Sequence, residues 1–155
     1  MPEIDVRDVD AIAALVSDEF GEWGPTVTIT QEMVDQFADL TGDHQWIHVD
    51  VERSERESPF GRTIVHGFFT LALIPSLTPP PVFTPVGVKN ALNYGSDGFR
   101  FIAPVPVGES VHARSRLRSA EAHRAGTLVT TETVVEVVGA ERPSLSYLGK
   151  VLYQY

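Results

Sequence analysis

The sequence predicts an α+β fold in which a curved antiparallel sheet wraps around one buried helix. Three observations lead there. The run Gly67-Phe68-Phe69-Thr70-Leu71-Ala72-Leu73-Ile74 is apolar all round, and a helix of that kind is buried on every side. The second half of the chain alternates apolar and polar residues with period two. Short turn signals separate these alternating runs, which implies antiparallel pairing of neighbours. One apolar helix and about four strands pack most economically as the arrangement called the hotdog. The 155 residues fit one domain, 1–155, with a core large enough to need no staples.

The elements follow in chain order. Asp8 is placed to cap a first helix to Val16, with Val9, Ile12, Ala13 and Val16 at helical spacing. Val27 to Thr30 reads as a short strand. Thr30 then caps a second helix, Glu32 lies in its first turn, and Met33, Phe37 and Leu40 form its apolar stripe. Gly42 stops it. An irregular stretch leads to a short charged helix, Val51 to Glu57, ended by Pro59 and Gly61. The apolar helix starts at Gly67. Pro75 should kink or end it, and Pro79-Pro80-Pro81 stops it. Strand signals follow at Val86 to Tyr94, Val111 to Leu117, Leu128 to Val138 and Leu145 to Tyr153.

Composition narrows the function. Lys plus Arg number 12 against 21 Asp plus Glu, a formal charge of −9, which argues against nucleic-acid binding. With no cysteine there is no disulfide, no thiolate nucleophile and no thiolate metal site. No apolar run approaches the ~20 residues of a membrane span. The start, Met1-Pro2-Glu3-Ile4-Asp5, lacks the basic and apolar regions of a signal peptide. A cytoplasmic protein with no membrane contact is expected.

The chemistry concentrates in Thr41-Gly42-Asp43-His44-Gln45-Trp46-Ile47-His48. Asp43 and His48 are five apart, about 140° around a continuous helix, so they converge only if the chain between them is irregular. Together they would form a carboxylate–imidazole pair able to hold one water and move protons. The plainer reading makes Asp43 a cap and His48 a satisfied polar residue. A second feature is His66-Gly67 at the start of the apolar helix. Free backbone N–H groups there can hold an oxygen that gains negative charge, and glycine lets a ligand come close. The alternative is that Gly67 is simply a small residue where helix and sheet touch.

These residues resemble the MaoC-like dehydratases, also called hydratase 2 or (R)-specific enoyl-CoA hydratases. The wording Gly42-Asp43-His44-Gln45-Trp46-Ile47-His48, followed by His66-Gly67-Phe68, is similar to the nodulation-protein-N-like branch. Phe99 to Gly108 resembles that family's strand-to-turn segment. The resemblance implies a homodimer that interconverts a trans-2-enoyl-CoA and an (R)-3-hydroxyacyl-CoA, with no metal and no organic cofactor. It implies Asp43 and His48 as the pair that activates water, and the Gly67 N–H as the group that polarises the thioester carbonyl. Gln45 and Trp46 stand where the wider family has Asn and Pro. Gln45 keeps an amide on a longer arm, and Trp46 adds bulk beside the acyl chain. Trp46, His66 and Phe68 are expected near substrate, with Arg62 and Lys89 as candidates for CoA phosphates. Asn93 and Arg100 are candidates for orienting the site.

Rival readings remain. His44 and His48 are four apart, with Asp43 and His66 nearby, but a metal site there would need a helix that Gly42 opposes. Hotdog proteins also include thioesterases, and a non-catalytic acyl-binding role is a further option. Arg114, Arg116 and Arg118 read as a strand face paired with Glu132 and Glu136 on a neighbouring strand.

Overall fold

The computed structural model describes residues 1–78 and 80–155. Pro79 of the expected proline stop lies outside the described residues. The fold is the α+β hotdog. Its five-stranded sheet has the order β2-β5-β6-β7-β4, built from β2 (Val27–Thr28), β4 (Asn90–Phe101), β5 (Ser110–His123), β6 (Gly126–Val137) and β7 (Leu145–Gln154). All its pairings are antiparallel. β4 skips past β5 in space and pairs with β7, so it becomes an edge. Irregularities at Asn93/Gly95 and Ser96/Gly98 in β4, and at Leu117/Ser119 in β5, let the sheet curl. A separate parallel pair joins β1 (Glu3–Asp5) to β3 (Thr84–Val86). Three residues of strand at the chain start are too few to show a period, so sequence reading passes over β1.

The caps form where side-chain chemistry directs. Asp8 accepts from the Ala11 N–H and caps α1 (Val9–Ala13). Thr30 accepts from the Met33 N–H and caps α2 (Gln31–Thr41), and Gly42 ends it at φ 81°. α1 is shorter than its apolar pattern, and Val16 lies outside it. α2 buries Val34 and Ala38, flanked by Met33 and Phe37. Leu40 is 83% exposed, because the i, i+4 pairs 33/37 and 34/38 define the buried face and Leu40 falls off it.

The central helix α5 runs Gly67–Ala72, and Pro75 lies in a following 3₁₀ turn, Ile74–Leu77. Phe69, Leu73 and Leu77 enter the core with Ile29, Val111 and Leu145. The expectation of burial on every side is corrected at Phe68, which is 62% exposed. Its ring meets Phe99 and Phe101 of the edge strand, at centroid distances of 5.9 and 5.6 Å. An edge strand covers a helix from one side only, and every residue of β4 is exposed. No helix among the described residues is long and apolar enough to cross a membrane.

Candidate active site

The site starts where α2 stops. The left-handed Gly42 turns the chain, and the Asp43 carboxylate accepts from the Gln45 N–H at 3.3 Å. The His48 N–H bonds to the Gln45 carbonyl, opening a one-turn helix, α3 (Trp46–Val49). The stretch expected to be irregular is therefore a turn at 42–45 followed by one helical turn. That break brings Asp43 and His48 together, with α4 (Val51–Glu57) following behind Asp50.

His66 joins them from the N-terminus of α5. Its Nε2–H donates to the Asp43 backbone carbonyl at 2.9 Å, and its ring stacks on His48 at 3.9 Å. One side-chain ligand atom from each of Asp43, His48 and His66 lies within 4.8 Å of the others. The trio is of a kind that can ligate a metal ion, with two of its three donors on imidazole rings stacked 25° from parallel. His44, the other histidine of the metal alternative, points away and pairs with Asp39 at 2.8 Å. That hydrogen bond raises the His44 pKa.

Hydrogen bonding sets the state of His48. Its Nδ1 lies 2.7 Å from the Ile64 carbonyl oxygen, which can only accept. Nδ1 therefore carries the proton and Nε2 keeps a free lone pair. Burial lowers the pKa of His48, which is 7% exposed. The bond to Ile64 opposes that shift, and neighbouring His66 reinforces it. His48 is thus an imidazole whose neutral form is favoured, in a largely closed setting. His66 is 2% exposed, and its Nδ1 has no hydrogen-bond partner.

Two cavities meet at His48 and Gly67. One, about 200 Å³, holds Asp43, His66, Thr41, Phe37 and Phe68. The other, about 220 Å³, is lined by Thr70, Phe101, Val105, Ser144 and neighbouring residues. Gly67 is the first residue of α5, where backbone N–H groups lack helical partners. The Phe101 ring lies against its Cα, so that a Cβ there would come within 2.9 Å of ring carbons. Glycine here lets the Phe101 ring come close, and a larger residue would have to push that ring aside.

The other expected residues are spread more widely. Gln45 is exposed and reaches Asp43 through its backbone N–H. Trp46 is half-buried beneath the Arg53 guanidinium at 4.3 Å. Arg62 is exposed and paired with Glu109. Gln45, Trp46 and Arg62 line neither cavity at His48. Asn93 lines a different cavity of about 380 Å³ with Ile74, Tyr147 and Lys150. Sequence reading missed Phe101 as a wall of the site, together with Thr70 and Ser144. It also missed Gln31, whose amide reaches the His48 carbonyl. Phe101, Thr70 and Gln31 each sit in an ordinary strand or helix and Ser144 in the bend just before β7, with no motif to mark any of them.

Comparison with known proteins agrees with the fold. The MaoC-like domain model matches residues 21–139. The chain is 52% identical over 139 residues to 3-hydroxyacyl-thioester dehydratase Z of Mycobacterium tuberculosis, covering 89% of this chain and 90% of that one. It is 42% identical over 151 residues to nodulation protein N of Rhizobium meliloti, covering 94% and 89%. Among solved structures, the (R)-hydratase from A. caviae involved in PHA biosynthesis superposes with a TM-score of 0.69 at 22% identity, covering 88% of this chain and 98% of that one. With the family model spanning most of the chain and relatives this similar, the chain belongs to the MaoC-like dehydratase family.

Proposed function

We propose that this protein is a hydratase/dehydratase that interconverts a trans-2-enoyl thioester and an (R)-3-hydroxyacyl thioester. The observation that carries the reading is the pairing of an exposed carboxylate, Asp43, with a buried neutral imidazole, His48, beside the N-terminus of α5. Both groups accept hydrogen bonds, so they hold one water by its two hydrogens and leave an oxygen lone pair for the substrate. The water oxygen attacks C3, and the C2=C3 electrons move onto the thioester oxygen. The Gly67 N–H steadies that developing enolate, a contribution worth about 10²–10³ in rate for donors of this kind. The pair takes one proton from the water and C2 receives one, so the elements of H and OH add across the double bond. Dehydration is the reverse.

In this reading Phe68 and Phe101 enclose the reacting carbons, and Gln45 and Trp46 support the loop that carries Asp43. His66 acts from beneath by holding the Asp43 carbonyl and packing on His48. Arg62 lies outside the cavities, where a CoA phosphate could replace Glu109 as its partner. Asn93 belongs to the farther cavity, and a long acyl chain would be needed to meet it. The reading includes a homodimer formed along β4. That strand is the outer edge of the sheet, exposed throughout its 12 residues and flanked by the Phe68, Phe99 and Phe101 cluster. A long exposed edge invites pairing with another strand.

The test follows the ultraviolet absorbance of crotonyl-CoA and of longer enoyl-CoAs. Loss of absorbance with wild type and not with Asp43→Asn, giving the (R)-alcohol, is the expected result. Release of free thiol would instead favour a thioesterase. No change with any enoyl-CoA would overturn the CoA reading.

A further inference from the structure

His48 is braced from behind by a residue that touches neither cavity. Gln31 is the first residue of α2 and half-buried. Its Nε2 donates to the His48 backbone carbonyl at 2.8 Å and to the Asp35 carboxylate at 2.8 Å. Its Oε1 accepts from the Thr63 hydroxyl at 2.7 Å. Exchanging the amide nitrogen and oxygen would set an oxygen against a carbonyl and a carboxylate, so the chemistry fixes the orientation. Thr63 is 3% exposed and immediately precedes Ile64, whose carbonyl receives the His48 Nδ1–H. The Ile64 N–H in turn bonds to the Ile47 carbonyl at 3.0 Å. The 47–48 and 63–64 segments are thus tied directly by their backbones and again through one amide side chain.

We propose that Gln31, completed by Thr63, is a positioning residue that fixes the ring orientation and tautomer of His48. The bond to Ile64 decides which imidazole nitrogen carries the proton. Its geometry depends on the distance between His48 and the 63–64 segment. Gln31 spans that distance, holding one segment by its nitrogen and the other by its oxygen. Without the brace, the His48 ring can rotate or exchange its proton to Nε2, and the lone pair that faces Asp43 is lost. The inference rests on the reading of His48 as the base.

Gln31→Met keeps the length of the side chain and removes its hydrogen bonds, while Thr63→Val keeps the shape and removes the hydroxyl. Either should lower kcat with crotonyl-CoA by about 10–100-fold, by analogy with partners that orient metal-binding histidines from behind. KM should stay within about twofold. The double variant should be little worse than either single one, because both cut the same connection. Thr63→Ser should recover most of the rate lost in Thr63→Val. Losing the Ile64 bond also removes an influence that raises the His48 pKa, so the acid limb of the kcat profile should move to lower pH. In substrate-free protein, nitrogen NMR of His48 should report a single Nδ1–H tautomer in wild type and a mixture in Gln31→Met. Unchanged kcat and tautomer in Gln31→Met would overturn the proposal. So would a loss of rate and melting temperature with tautomer and acid limb unmoved, which marks a purely structural role. If wild type turns over no enoyl-CoA, the dehydratase reading fails, and the tautomer spectrum still decides the brace.

Discussion

Two ring stacks in this protein involve histidine, with opposite consequences. At the site, His48 lies 3.9 Å over His66, its Nε2 lone pair unspent beside a cavity. On the outer face of the sheet, His112 lies 3.7 Å over Trp23 and only 4° from parallel. There Arg114 covers Trp23 at 4.4 Å and Phe20 at 5.1 Å, and Arg116 covers Phe20 at 4.4 Å. Glu136 faces His112 at 3.5 Å, and Glu132 takes Arg116 at 2.8 Å. Arg116 and Arg118 therefore meet Glu132 of the neighbouring strand as expected, whereas Arg114 stacks on Phe20 and Trp23 and Glu136 faces His112, so the expected pairing holds for only part of the row. His112 Nε2 also lacks a hydrogen-bond partner, so the difference lies in what the unbonded nitrogen faces, a carboxylate at one stack and a cavity at the other. A stacked imidazole becomes a candidate base when one nitrogen is anchored and the other meets open space.

The comparison can be broken most severely at the site. Asp43→Asn and His48→Gln should each lower the hydration rate of crotonyl-CoA by about 10²–10⁴-fold while the melting temperature changes little. Wild-type rates in either variant would place the two histidine clusters on an equal footing. Gly67→Ala comes next. Its methyl would press on the Phe101 ring, displacing the reacting groups and lowering the rate by up to about 10²-fold. In a Phe101→Ala background the same change should cost far less, which a double-mutant cycle of kinetics measures. Trp23→Ala tests the other cluster. It should cost about 1–3 kcal/mol in denaturant unfolding, through lost stacking and cation–π contacts, with kcat within about twofold of wild type.

The smallest effect is pH-dependent. Burial lowers the folded-state pKa of His48 below its ordinary 6.5. Between that lowered value and 6.5 the unfolded chain binds more protons than the folded one, so stability rises with pH through this window. The contribution is present above 6.5 and is lost as the pH falls through the window. Unfolding curves of wild type should therefore lose stability below 6.5 more steeply than those of His48→Gln, and parallel curves would contradict the burial argument. The same neutrality keeps His48 competent as a base down to pH values below the usual imidazole range.

Local chemistry made much of this protein legible. Thr30 and Asp8 cap as their side chains dictate, and Gly42 stops α2 because only a left-handed residue turns the chain there cheaply. The alternating runs at Val111 and Leu145 became β5 and β7, since period two has one solution beside a core, and the Val- and Thr-rich run became β6. Asp43, His48 and Gly67 could be singled out because a motif concentrates them in sequence and a helix start places Gly67.

Long-range contacts decided the rest. Phe68 is apolar in an apolar run, yet it is exposed because β4 pairs with β7 at the sheet edge and leaves one side of α5 uncovered. Phe101 became a wall of the site by lying on Gly67, 34 positions earlier in the chain. Gln31 reaches His48 and Thr63 across separations of 17 and 32 residues. Asn93 fell to another cavity and Arg62 to a partner carboxylate. Periodicity and capping report what each residue does for its own element. Which lone pair faces open space depends on how separate elements meet, and only the tertiary structure sets that.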